Sequence, residues 1–289
     1  MAILCIGSIN IDHVYHVPHI PAPGETLAAT GYAKGLGGKG ANQSIAAAKA
    51  GSSVSHCGLI GDEGQFLLQQ MRGAGVDVGA VAEGPMPTGH AIISVDPAGE
   101  NAITIFQGAN GVLTHDVIAK SLDPMQSGDW LMLQNEVNLT AQVARLGKAA
   151  GMRVAYSAAP FDVAAVEAVL PFVDLLLMNE IEAAQLTEAL GDVVGPEKII
   201  TMGAKGARWH HPDGEIVIPG YPVAEVVDTT GAGDCFAGFI VAGLDAGLTR
   251  EQAMDRASAA AAIQVTRPGA ADAMPEAAEV TRFLADRAG

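Results

Sequence analysis

From residue 54 onward, short apolar runs alternate with segments of helical periodicity, and this alternation is the feature that most restricts the fold. Residues 54–60, 130–134, 154–157 and 175–178 read as strands, and residues 65–71, 141–150 and 163–169 as helices. Strand–helix–strand units join parallel neighbours by right-handed crossovers, which lay helices on both faces of the sheet. The expected class is therefore α/β, a three-layer α/β/α arrangement around a mainly parallel sheet. The opening run 3–9 is continuously apolar, as a buried parallel strand is, and it ends in Asn10, Ile11 and Asp12. Polar residues at the carboxyl end of a strand stand where α/β sheets bind ligands, although turn chemistry explains Asn10 and Asp12 equally well.

A chain of 289 residues can hold one large α/β domain with an appendage. Pro18, Pro21, Pro23 and Gly24 break the first connection into short β-like pieces such as 26–30. Residues 90–106 alternate across an Asp96-Pro97-Ala98-Gly99 turn, as a hairpin does. These two insertions, about 13–36 and 88–107, predict a small sheet separate from the main body. Further on, a strand at 199–201 runs into a glycine turn, 207–219 forms a hairpin across Pro212-Asp213-Gly214, and 250–265 is a helix.

A formal net charge of −16 argues against nucleic acid or an anionic membrane as partner. Three cysteines, Cys5, Cys57 and Cys235, sit in apolar stretches and fit reduced thiols in a cytoplasmic protein. Cys235 has no identified His partner, and packing is its simpler role. The first residues lack the basic segment of a signal peptide, and the longest apolar runs, 235–244 and 257–263, are too short to span a bilayer. The eight histidines show no metal-ligand spacing, so capping, turn and surface roles are expected; Trp130 and Trp209 are expected in the core.

The best case for chemistry is the stretch Val227-Asp228-Thr229-Thr230-Gly231-Ala232-Gly233-Asp234, which enters an apolar helix at 235–246. Amides at a helix N-terminus bind anions, glycines let a phosphate approach the main chain, and Asp234 would lie beside it. A carboxylate next to an anion hole suggests a base with electrophile support, whereas a plain capping acid is the alternative. A second glycine turn, Gly37-Gly38-Lys39-Gly40-Ala41-Asn42-Gln43, opens a helix at 41–50. It is not a phosphate-binding P-loop, because Ala33 and Gly40 occupy the positions that need Gly and Ser or Thr. Nor does Gly7-Ser8-Ile9-Asn10 supply the GxGxxG of a dinucleotide site.

The two motifs together, in this order and separation, resemble the signatures of the ribokinase-like (PfkB) carbohydrate kinases, and the resemblance covers nearly the whole chain. It implies a single kinase domain over 1–289 with a small β-sheet lid that is often a dimer surface. It implies that Asn10, Asp12, Gly38, Lys39, Asn42 and Glu136 bind sugar hydroxyls. It also implies that Asn179, Thr201, Gly203, Gly206 and Gly233 contact ATP, and that Glu182 of the Asn179-Glu180-Ile181-Glu182 motif orders water around Mg²⁺. Asp234 would be the base, with the amides of Gly231, Ala232 and Gly233 holding the phosphoryl oxygens. D-ribose, phosphorylated at O5, is the favoured acceptor; another sugar, a nucleoside, or a silent sugar-binding protein on the same fold are the alternatives. Asp228 and Thr230, with carbonyls near Gln264, Arg267 and Gly269, resemble K⁺ ligands, although Ala273 stands where the family offers Ser.

Overall fold

The apolar runs become the middle of a nine-stranded sheet in this computed structural model, which describes residues 2–288. In chain order the strands are β1 (Ile3–Ile6), β2 (Asn10–His16), β3 (Gly31–Gly37), β4 (Val54–Ile60), β5 (Val76–Glu83), β6 (Gly89–Val95), β7 (Asn101–Phe106), β8 (Trp130–Leu133), β9 (Arg153–Ser157), β10 (Leu175–Asn179), β11 (Glu197–Thr201), β12 (Ala207–His211) and β13 (Gly214–Ile218). The helices are α1 (Lys39–Lys49), α2 (Gln65–Gly73), α3 (His115–Leu122), α4 (Thr140–Ala149), α5 (Val163–Val169), α6 (Glu180–Leu190), α7 (Ala232–Asp245), α8 (Arg250–Gln264) and α9 (Ala277–Ala288). The large sheet has the order β13-β12-β11-β10-β9-β8-β1-β4-β5, parallel except for the hairpin edge beyond β11.

Why β1 is apolar throughout follows from the period of two. Ile3 and Cys5 face the core shared with α1, α2, α7 and α8, while Leu4 and Ile6 face the core shared with α3, α4, α5 and α6. Both layers are thus sealed by one strand. From β1 the sheet grows in opposite directions, through β4 on one side and β8 on the other. That switch point opens a crevice at the carboxyl ends of β1 and β8.

The opening run is not one strand to residue 9. β1 stops at Ile6, residues 7–9 turn, and Asn10 and Asp12 open β2, which leaves the main sheet. With β3, β6 and β7 it makes a second sheet of order β3-β2-β6-β7. The 96–99 turn joins β6 to β7 as expected, but 26–30 forms no strand; β3 starts at Gly31, after Thr30 N–H has bonded to His16 O at 2.8 Å. The sheet therefore takes in Asn10, upstream of the insertion as read from sequence.

Helices α1 and α7 both begin earlier than periodicity indicates, because their glycine turns are absorbed into the first helical turn. The two helices pack at backbone distance. A Cβ at Gly238 would lie 2.4 Å from Ala46 Cβ and 2.7 Å from Gln43 O. Small residues here bring α1 side chains within reach of the α7 N-terminus.

Trp130 and Trp209 are buried, as are all three cysteines. Burial pushes the Cys5 thiol up to about 11 and raises Cys235 further, so both are packing residues. His56 departs from the surface roles expected of the histidines: it is fully buried, with Ser44 Oγ at 2.8 Å from Nδ1 and Gly7 O at 3.2 Å from Nε2. Burial lowers it to about 4, so it is neutral and braces the turn after β1. Among the described residues no helix is long and apolar enough to cross a membrane.

Candidate active site

The N-terminus of α7 has the geometry of an anion hole. Gly231, its N-cap, has φ 77°, and a Cβ there would stand 2.8 Å from Ala270 Cβ, so only glycine fits. The Ala232 N–H turns back to Thr229 O at 3.2 Å, which leaves the amides of Gly233 and Asp234 to project from the helix end. Ala232 thus shapes the hole more than it lines it.

Asp234 sits in that first turn and is buried. Its Oδ2 accepts from Asn42 Nδ2 at 3.2 Å and its Oδ1 from Gln43 Nε2 at 3.0 Å, both reaching across from α1. Gln134 Nε2, after β8, donates to Gln43 Oε1 at 2.7 Å and so fixes that amide in turn. Two neutral donors fix the direction in which this carboxylate points. Gln43 and Gln134 were not among the residues read from sequence. Gln43 is the neighbour of Asn42 in the glycine-turn motif, but Gln134 carries no local signal at all.

The residues expected to bind a polyol converge where the small sheet meets the crevice. Gly38 caps α1, and the following Lys39 N–H donates to Glu136 Oε2 at 2.9 Å, which also accepts from Ser8 Oγ. Ser8 Oγ in turn accepts from Gly40 N–H at 3.2 Å. Gly40 is glycine for want of room: a Cβ would lie 2.5 Å from Ser8 N. Asn10 Oδ1 accepts from Asn110 Nδ2 at 2.7 Å, and Asn110 also bonds Ile9 N–H at 3.0 Å, which makes it a brace for the β1–β2 turn. Asp12 is pushed up to about 6, first by burial and then by the charge of Glu136. Lys39 is shifted upward by Asp234 foremost, against its own burial, with Glu136 and Glu182 adding to the effect. The Lys39 ammonium thus feels the charge of three carboxylates.

Next to this lies a cleft in two connected parts. A polar part of about 230 Å³ is lined by Lys39, Asn179, Glu182 and the segment from Gly231 to Asp234. An apolar part of about 290 Å³ is lined by Thr201, Gly203, Gly206, Tyr221, Val223 and Ala262 among others. Thr201, Thr229, Ala232, Gly233 and Phe236 line both parts, so the anion hole sits between them. Asn179 and Glu182 form a reciprocal capping box on α6, with Glu182 N–H to Asn179 Oδ1 at 2.9 Å and Asn179 N–H to Glu182 Oε2 at 2.8 Å. Glu182 is both a cap and a cleft wall. A larger cavity of about 550 Å³, lined by Trp130, Arg153, Leu175 and Glu197, opens at the amino ends of the strands, away from this chemistry.

The corner behind the anion hole does not fit a monovalent cation. Gln264 Nε2 donates to Thr230 O at 2.6 Å and to Gly269 O at 3.4 Å, occupying two of the expected ligands. Asp228 Oδ1 accepts from Thr230 N–H at 2.8 Å and Oδ2 from Gly269 N–H at 2.9 Å. Despite burial, these bonds hold Asp228 below the usual carboxylate range. Arg267 pairs with Glu279 and reaches Ala273 O at 3.4 Å, and Ala273 offers no hydroxyl.

Known proteins resemble this architecture over its whole length. Ribokinase of Haemophilus influenzae is 34% identical over 96% of this chain and 97% of its own. Deoxyribokinase of Salmonella typhi is 32% identical over 98% of this chain and 99% of its own. The structure of Arabidopsis thaliana ribokinase complexed with ribose and ATP superposes with a TM-score of 0.85 at 28% identity, covering 98% of this chain and 99% of that one. The profile of the pfkB family carbohydrate kinases matches residues 2–277, and the chain belongs to that family.

Proposed function

We propose that the protein transfers the γ-phosphoryl group of ATP to O5 of D-ribose, giving ribose 5-phosphate and ADP. The observation that carries this reading is the buried Asp234 carboxylate, held by Asn42 and Gln43 at a helix end whose Gly233 and Asp234 amides are free for an anion. In-line transfer needs an aligned hydroxyl, a base for its proton, and donors on the transferred group. Asn10, Asp12, Asn42 and Glu136 hold the sugar hydroxyls, and Asp234 Oδ takes the proton from O5 as it attacks phosphorus. The Gly233 and Asp234 amides and the Lys39 ammonium hold the phosphoryl oxygens. Each such donor contributes about 3 kcal/mol to a transition state.

Adenine fits the apolar part of the cleft against Val223, Ala262 and the glycine turn of Gly203 and Gly206. Among the described residues no group of three His, Cys, Asp or Glu side chains could hold a metal by itself. The donor set suits Mg²⁺ carried on the phosphates, with Glu182 keeping Oε1 for a bound water; such an ion would supply neutralisation of phosphate charge. Strands β2, β3, β6 and β7 act as a lid that excludes water from the sugar. Ile103, Ile105 and Phe106 stay exposed on β7, and we assign this edge to a homodimer contact, to be checked by the mass of the particle in solution. The three buried reduced thiols suit a cytoplasmic setting.

The test is ADP release with Mg²⁺-ATP across D-ribose, 2-deoxy-D-ribose, other pentoses, hexoses and nucleosides. Ribose should give the highest kcat/KM. A higher value for 2-deoxy-D-ribose or for a nucleoside would keep the mechanism and overturn the acceptor.

A further inference from the structure

We propose that the side-chain amide of Gln264 stands in place of a monovalent cation, so that this kinase turns over without potassium. The inference rests on the kinase reading above and concerns the corner behind its anion hole. Gln264 is fully buried at the last turn of α8, and its Nε2 lies 2.6 Å from Thr230 O and 3.4 Å from Gly269 O. A primary amide nitrogen carries two protons, one for each carbonyl. Two carbonyl oxygens converging on one point repel unless a cation or a donor lies between them, and here the donor does. Turning the amide over would set Oε1 against Thr230 O, lone pair to lone pair. The nitrogen therefore faces the carbonyls even though Oε1 is left buried without a partner.

The Asp228 carboxylate at this corner is engaged too. Both Asp228 carboxylate oxygens accept backbone N–H groups, and Ala273 has no hydroxyl to offer a cation. What the amide achieves is mechanical. Thr230 immediately precedes Gly231, the N-cap of α7, and is tied through Gln264 to Gly269, beside the Ala270 that packs against Gly231. The turn bearing the anion hole is thereby fixed to the end of α8. Gln264 is a positioning residue: it acts on the phosphoryl group through the Thr230–Gly231 backbone.

The experiment compares ADP release from Mg²⁺-ATP and D-ribose in choline, Na⁺ and K⁺ buffers of equal ionic strength, for wild type and Gln264→Ala. Melting temperatures with Mg²⁺-ADP are read in the same buffers, so the corner is tested even where no sugar turns over. Wild type should show the same rate and the same melting temperature in all three; stimulation or stabilisation by K⁺ overturns the proposal. Gln264→Ala uncovers the carbonyls, and its rate in choline should fall about tenfold and recover on adding K⁺. A folded Gln264→Ala whose rate is unchanged and indifferent to cation also overturns it. Should that variant fail to fold, the wild-type arms decide alone. Absence of turnover with every sugar strikes at the kinase reading, while the melting data still speak for or against the amide.

Discussion

Replacing Asp234 by Asn removes the proposed base while leaving shape and volume almost unchanged. Two amide donors, Asn42 Nδ2 and Gln43 Nε2, now point at the carboxylate, so one would face the new NH₂. The structure supplies the remedy. Asn42 Oδ1 is buried without a partner, and a rotation of the Asn42 amide presents that oxygen to the new donor. The fold should therefore lose little; what is lost is the proton acceptor. General-base catalysis contributes about 10²- to 10⁴-fold, or about 3–5 kcal/mol of barrier. We expect kcat for ADP release to fall by at least about 10²-fold, while calorimetry still detects ribose and ATP binding and the melting temperature stays close to wild type. A folded Asp234→Asn enzyme with kcat within about tenfold of wild type would refute the assignment of Asp234 as base.

Two further perturbations follow from the same geometry. Asp12 is raised from 3.8 to about 6, equivalent to about 3 kcal/mol, so its contribution to stability is full below pH 3.8 and is lost as pH rises through 6. Above pH 6 the wild-type apo protein carries a half-buried charge that Asp12→Asn lacks; the variant should melt higher at pH 8 and lose that advantage by pH 4. It should also bind ribose more weakly, and wild-type ribose KM should rise as pH falls through 6; a KM flat across that range would discard Asp12 as a hydroxyl acceptor. Gly238→Ala pushes a methyl into Ala46 and the Gln43 carbonyl, which costs about 1–3 kcal/mol and moves α1 away from α7. Because α1 aims Asp234, kcat should drop out of proportion to ribose KM, with up to about 10²-fold per ångström of displacement; equal effects on both parameters would show that the helix contact serves stability alone.

Much of the candidate site was legible because it lies on short, contiguous motifs that the family resemblance marks. Gly38, Lys39 and Asn42 share one turn of α1, and Gly231, Gly233 and Asp234 share one turn of α7, so spacing alone presents them together. Gln43 could have been found by its adjacency to Asn42. Ser8, Asn110 and Gln134 could not, since their partners lie 128, 100 and 91 residues away in sequence and no periodicity reports a hydrogen bond across that distance.

Local sequence specified the α/β class, the placing of nearly every central strand, the 96–99 hairpin and the presence of the two glycine-rich helix openings, though not the residues at which those helices start. Each is a local property: side-chain period, missing Cβ atoms and turn residues act within a few positions of one another. Where β1 ends and β2 departs emerges only from the packing, since the stretch 3–9, interrupted by no more than Gly7 and Ser8, can be received by one sheet or by two. Packing also decided what fills the corner at Thr230 and Gly269. There the carbonyls were expected from the family resemblance, but the donor between them is set by where the end of α8 meets the turn before α7. That meeting is fixed by the packing of α7 on α8, which no stretch of chain encodes alone.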